Sequence, residues 1–253
     1  MAVANIATTI TERTHTTMRD AFHRLQPLAF LRLQSWLSPA FPTGSYSYSH
    51  GLEWAVEAKH VHDRRSLIDW LAADLRYGSG RNEAIFFCAA WSCSADDDRS
   101  KLFEVAEFAA AFRGTAEFAR ESAQQGSACR ATLSQVWGNH LLDWLSKTLF
   151  ERNLPAALSA VLAVRAAQEG VPLVIALPAF LQSYVGNQVS AGVRLVPLGQ
   201  TDGQAAIAAL EDVVLATSSD AATATMDDLG SAAFMVDLAS MAHETQYTRL
   251  FRS

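Results

Sequence analysis

Apolar positions recur along this chain at helical spacing and almost never alternate as a half-buried strand would. Pro27 suits the first turn of a helix that runs to Leu37 and stops at Ser38-Pro39. Ala40 to Ser47 then reads as a turn-rich loop. A second helix begins near Ser49 and carries Leu52 and Val56 on one face. Asp63 is a good N-cap for the next, which has Leu67, Ile68, Leu71 and Leu75 at helical spacing and ends at Gly78-Ser79-Gly80. Asn82 is expected to cap a helix through Trp91, and Asp96-Asp97-Asp98 to open one carrying Leu102, Val105, Ala106 and Ala109. Thr115 to Trp137 reads as long and partly polar, followed by His140 to Phe150 and Pro155 to Gln168. Pro172 to Val196 is apolar and dense in small residues, and Pro197-Leu198-Gly199 ends it. Asp202 to Thr217 is again helical, Ser218 to Asp228 looser, and Ser231 to Met241 the last helix.

The pattern predicts an all-α fold, a single domain of roughly ten packed helices with short connections. Residues 1–24 are set apart as a mobile N-terminal tail, since Met1 to His23 is rich in Thr and Ala and has no apolar run of signal-peptide length. Residues 25–242 form the helical domain, and 243–253 a C-terminal tail.

Composition narrows the function classes. Half of the 253 residues are hydrophobic and 18% are charged, which excludes global disorder and leaves room for a large core. The net charge is −6 and the densest basic spot is Arg64-Arg65, so nucleic acid is not an expected partner. The most apolar stretch, Val171 to Leu181, is too short to span a bilayer and contains Pro172 and Pro178, so no membrane partner is expected. Cys88, Cys93 and Cys129 are too few and too scattered for a disulfide framework, which fits reduced thiols in a cytoplasmic protein.

Searches for chemistry return little. No G-x-S-x-G elbow occurs, and Gly199 to Gly203 offers two glycines but no lysine for a phosphate. His60-x-His62 with Asp63 is the nearest thing to a metal site, yet closed sites want three or four ligands. Asp96 to Asp98 reads as capping, and Glu104 with Glu107 as a solvated face. No catalytic residue, cofactor or metal site is therefore expected, and a binding function gains weight.

Three segments stand out. The first, Leu37 to Glu53, has two prolines, Gly44 and alternating Ser and Tyr, and reads as a hinge pinned by Phe41, Tyr46 and Tyr48. In the second, Ala179, Ser183, Gly186, Ser190, Ala191 and Gly192 make a narrow helix suited to a central core position or a symmetric dimer contact. The third, Met241 to Ser253, ends in Tyr, Arg, Leu and Phe, residue types enriched at interface anchors, and reads as a partner anchor more than as a tail folded back on its own core.

Together these segments resemble the urease accessory protein UreF family. Ala40-Phe41-Pro42-Thr43-Gly44-Ser45-Tyr46-Ser47-Tyr48-Ser49-His50-Gly51-Leu52-Glu53 looks like its N-terminal signature, with Thr43 and Tyr46 where other members often carry Ile and Phe. Val193 to Gln204 looks like its second signature, and Met241-Ala242-His243-Glu244 with Tyr247 to Ser253 like its C-terminal end. The resemblance implies a non-enzymatic all-α homodimer that binds UreD (also called UreH), recruits the GTPase UreG and docks on apo-urease to promote nickel insertion. It implies that the tail, with Tyr247, Arg249, Leu250, Phe251 and Arg252, packs against UreD. The loop and small-residue helix would shape the dimer and the UreG surface, with candidates Phe41, Pro42, Gly44, Tyr48, His50, Glu53, Tyr184, Gln188 and Arg194. Favouring one nucleotide state of the GTPase would let such a scaffold gate GTP hydrolysis. Two other readings stay open: a nickel-binding metallochaperone using His and Cys side chains, and a helical enzyme built on the Ser/Tyr/His loop.

Overall fold

Eleven α-helices follow one another between Pro27 and His243 in the computed structural model, which describes residues 20–252 apart from 22 and 24. They are α1 (Pro27–Leu37), α2 (Leu52–Glu57), α3 (Arg64–Tyr77), α4 (Ser79–Ala95), α5 (Arg99–Ala111) and α6 (Ala116–Val136). After these come α7 (His140–Glu151), α8 (Leu158–Gln168), α9 (Leu173–Leu195), α10 (Gln200–Thr223) and α11 (Phe234–His243). Two 3₁₀ turns, Ser45–Ser47 and Met226–Asp228, complete the set, and no strand occurs among the described residues. The expected tail at 1–24 lies outside the described residues except for Asp20, Ala21 and His23, of which Ala21 is buried.

The centre is α4 packed on α8. Both are apolar or small on nearly every side: Ile85, Phe86 and Phe87 on α4 and Val161 to Val164 on α8 are buried. Each such large side chain removed from water is worth about 1.5–3 kcal/mol. Helices α5, α3 and α10 pack round α4, α6 packs on α8, and α9 lies against α10. The short α11 packs on α2, so the end of the chain returns to the loop near its beginning.

Several expected boundaries hold because the local chemistry decides them. Asp63 caps α3 through Ser66 in a reciprocal box, Asp98 caps α5 and Thr115 caps α6. Others move. Asn82 does not cap α4; the helix starts earlier, at Ser79, and the Asn82 Oδ1 accepts from the Gly230 N–H at 3.1 Å. The cap of α4 comes from the helix before it: Asp74 accepts from the Ser79 N–H at 3.0 Å. Of the looser stretch expected over Ser218 to Asp228, the first part belongs to α10, which runs to Thr223, and only 224–228 leaves the α-helix. The Thr217 hydroxyl donates to the Leu75 carbonyl on α3, and the Ser218 hydroxyl donates back to the Val214 carbonyl one turn earlier in α10, so both are satisfied within a continuous helix. Helices α8 and α11 each begin three residues later than expected, at Leu158 and Phe234.

The small-residue helix α9 is not the centre. One side is buried, whereas Ala179, Ser183, Gly186 and Ser190 line an open groove of about 930 Å³ shared with α1 and α10.

Candidate partner-docking surface

Two residues with left-handed backbone, His50 (φ 58°) and Gly51 (φ 76°), turn the loop into α2. Glycine is required at 51 for a second reason: a Cβ there would lie 2.8 Å from the Ser240 N on α11. His50, a non-glycine in that region, is held by its side chain. Its Nδ1 lies 3.1 Å from Glu121 on α6, its Nε2 contacts the Ser79 hydroxyl, and its ring stacks on Phe118 at 3.8 Å. Tyr184 on α9 approaches the same ring nitrogen at 3.1 Å and donates to Asp74 at 2.7 Å. Burial pulls the His50 imidazole down, but Glu121 and then Asp74 outweigh it, and the net shift is upward. Burial, reinforced by Asp74, pushes the Tyr184 phenol well above its ordinary value.

These groups border a cavity of about 290 Å³ that also meets Arg113 and Gln125. Glu121, His50 and Ser79 stand in the order of an acid–histidine–serine triad, but the proton placement is wrong for one. The Ser79 hydroxyl donates to Asp74 at 2.9 Å, so its proton is directed away from the His50 ring. The cluster fastens α3, α4, α6 and α9 to the loop.

A second cluster sits one turn earlier on α6. Glu117 accepts from the His243 Nδ1 at 2.8 Å, and Glu53 on α2 faces the His243 Nε2 at 3.0 Å; His243 and Glu117 have no exposed side-chain surface. The chain end closes on these carboxylates. Glu53 accepts the backbone N–H groups of Leu250 at 2.6 Å and Phe251 at 2.9 Å, and Arg249 reaches Glu117 at 3.1 Å. Phe251 is buried beneath Arg194, whose guanidinium lies 4.4 Å from the ring centroid, and the Arg252 N–H donates to the Ser47 carbonyl at 2.8 Å.

The candidates read from the sequence thus divide. Of the tail set, Phe251 is a buried plug and Arg249 an ion-pair partner, while Tyr247, Leu250 and Arg252 are exposed. Of the loop and helix set, Phe41, Tyr48, His50, Glu53 and Gln188 are buried, Gly44 and Tyr184 half-buried, and Pro42 and Arg194 exposed. Phe41 stacks on Trp137, and the Tyr48 hydroxyl donates to Gln124. The structure brings His50 to Tyr184 and Arg194 to the tail. Sequence reasoning missed Asp74, Ser79, Glu117 and Glu121; the two glutamates, four apart on a partly polar helix, look like a solvated face until the fold buries Glu117 and half-buries Glu121.

Above the second cluster α11 shows solvent an apolar face. Phe234, Leu238 and Met241, at helical spacing, are 69%, 52% and 48% exposed, with Met235 beside them. The tail that follows adds Leu250 at 68% and a fully exposed Tyr247. The thiols are buried: burial pushes Cys88 and Cys129 up to about 12 and Cys93 to about 11, so all three are neutral near pH 7. Among the described residues no three His, Cys, Asp or Glu side chains converge as a metal site, and no helix is long and apolar enough to cross a membrane.

Fold and surface define a class: an all-helical protein with buried charged groups that fasten its own chain, and with one run of exposed apolar residues on the last helix and tail beside others such as Leu28, Leu31 and Phe150. The UreF family model matches residues 61–211. Curated relatives, each a urease accessory protein UreF, are similar over nearly the whole chain. That of Rhodopseudomonas palustris (strain TIE-1) is 46% identical over 90% of this chain and 94% of its own. That of Bradyrhizobium sp. (strain ORS 278) is 49% identical over 89% and 92%, and that of Bradyrhizobium sp. (strain BTAi1) 44% over 97% and 100%. The chain belongs to the UreF family of urease accessory proteins, and membership assigns it to urease maturation.

Proposed function

We propose that this chain is the helical scaffold of a urease-maturation complex: it binds UreD (UreH), pairs with a second copy of itself, recruits the GTPase UreG and docks on apo-urease in the cytoplasm to promote nickel insertion. The observation that carries the reading is the apolar face of α11, with Phe234, Leu238 and Met241 in line and Leu250 and Tyr247 following. Apolar anchors at this spacing on an exposed helix are the signature of docking into a partner's groove. Full burial of each is worth about 1.5–3 kcal/mol. UreD is assigned to this face because the tail signature lies here. The α1–α9 groove, where a side chain added at Gly186 would touch nothing within 4 Å, suits the second copy. Pro42 and Tyr46, exposed at the tip of the loop, are left for UreG. Preferring one nucleotide state of that GTPase would gate hydrolysis without any contact to phosphate.

The test is the affinity for UreD of Leu238→Asp and of Phe234→Ala combined with Leu250→Ala. Both should weaken binding by about tenfold or more with helix content unchanged, as loss of interface anchors does. Wild-type affinity in both variants overturns the assignment. Deleting the tail would be a poorer test, because it also removes Phe251 from the core.

A further inference from the structure

The cavity of about 290 Å³ beside His50 has no part in the docking reading, and its lining holds more polar ends than its own bonds use. Asn82 on α4 and Gln125 on α6 both border it and are only 8% and 6% exposed. The Asn82 Oδ1 accepts from the Gly230 N–H at 3.1 Å, and the Gln125 Nε2 donates to Glu121 at 3.0 Å. Those bonds fix both amide orientations, since a backbone N–H needs an oxygen and a carboxylate needs a donor. Each amide keeps its other end unused: among the described residues nothing bonds the Asn82 Nδ2 or the Gln125 Oε1. The Arg113 Nη2 and the Ser122 Oγ, on residues of the same lining, are also buried without a partner. Buried polar groups are seldom left so, because each unmade bond costs free energy.

The rest of the lining says what kind of molecule supplies the missing partners. Phe112, Phe118, Phe180 and Leu158 give it apolar walls. Its charges are largely matched already, Arg113 with Glu83 and His50 with Glu121, while the half-buried Asp237 takes the Ser231 hydroxyl at 2.6 Å. A carboxylate would meet the surplus negative charge of Asp237. An ammonium group can accept nothing from Asn82.

We propose that this cavity is a binding site for a small uncharged molecule that bears a primary carboxamide on an apolar body. The ligand carbonyl accepts from the Asn82 Nδ2, its N–H donates to the Gln125 Oε1, and its body lies among the phenylalanines. The space stands at the lower end of the range for ligand cavities, roughly 300–1,000 Å³, which suits a molecule of one ring. The site depends on no partner protein and on no assignment of the docking face.

The experiment is calorimetry on the full chain with four probes of similar size: benzamide, acetophenone, benzoate and benzylamine. Benzamide should bind with a dissociation constant of about 1 mM or lower, and the two ions about tenfold more weakly or worse. Acetophenone keeps the carbonyl and replaces the NH₂ by a methyl group of similar shape, so it should bind about five- to tenfold more weakly than benzamide. Gln125→Met keeps the bulk and loses the acceptor, and it should bring benzamide and acetophenone to parity or reverse their order. Tighter binding of benzoate or benzylamine, equal affinity for benzamide and acetophenone, or no binding of any probe at about 10 mM overturns the proposal. A preference for benzamide that survives Gln125→Met overturns it too, because the carboxamide is then recognised elsewhere. Should Gln125→Met not fold, Asn82→Ala removes the donor to the carbonyl, and unchanged benzamide affinity there also overturns the site.

Discussion

Two histidines of this protein are held by two glutamates one turn apart on the same helix, and the two clusters do different work. His50 meets Glu121 and Ser79 at the edge of a cavity of about 290 Å³. His243 meets Glu117 and Glu53 with no exposed surface. The first joins elements of the helical body to a loop and leaves space beside the ring. The second fills its space with the chain's own end. The difference teaches that a histidine between carboxylates is not by itself a site. What surrounds it decides whether it borders a space or closes one.

The sealed cluster should be the costlier one to break. Glu117→Ala takes the acceptor from the fully buried His243 and from the partly exposed Arg249 and should destabilise the protein by about 3–5 kcal/mol, measured by urea unfolding. A loss near zero would mean that the tail does not hold these charges in solution. Gly51 lies between the two clusters in sequence and ties both to α11. Gly51→Ala forces a Cβ against the Ser240 backbone at a positive φ and should cost about 2 kcal/mol by the same measurement.

The smallest effect belongs to the open cluster and shows in pH dependence. The folded His50 imidazole is raised above its ordinary 6.5, so the folded state holds its proton where the unfolded state has lost it. Its contribution is complete below pH 6.5 and is lost as pH rises through the folded value. His50→Asn keeps a residue type that tolerates the left-handed backbone but cannot titrate. Its stability should fall less steeply than that of the wild type above pH 6.5. Parallel curves would place the titration elsewhere.

Much of the fold was legible. Helical spacing, the caps Asp63, Asp98 and Thr115 and the breaks at Ser38-Pro39 and Pro197 are local, and the structure keeps them. The errors came where a short polar residue had two uses. Asn82 looked like a cap and instead serves a distant backbone N–H; Ser218 looked like a loop residue and returns its hydroxyl to its own helix. Of the candidate surface, the signatures name segments, and only the fold says which of their side chains are exposed. Phe251, which the resemblance makes an anchor for a partner, is also a plug in this chain's core. The apolar face of α11 was part of a helix read as ordinary, because exposure is a property of what packs against it.

The sequence by itself determined the helical class, most helix ends and the three unusual segments, since propensity, capping and turn chemistry act over a few residues. Only the tertiary structure decided which glutamates are buried, which histidine borders a cavity, and which tail side chains remain free. Those partners lie far apart along the chain: 71 residues from His50 to Glu121, 190 from Glu53 to His243 and 198 from Glu53 to Phe251. Local pattern carries no record of such distances, because they are set by how the helices pack round α4 and α8 and not by the residues on either side.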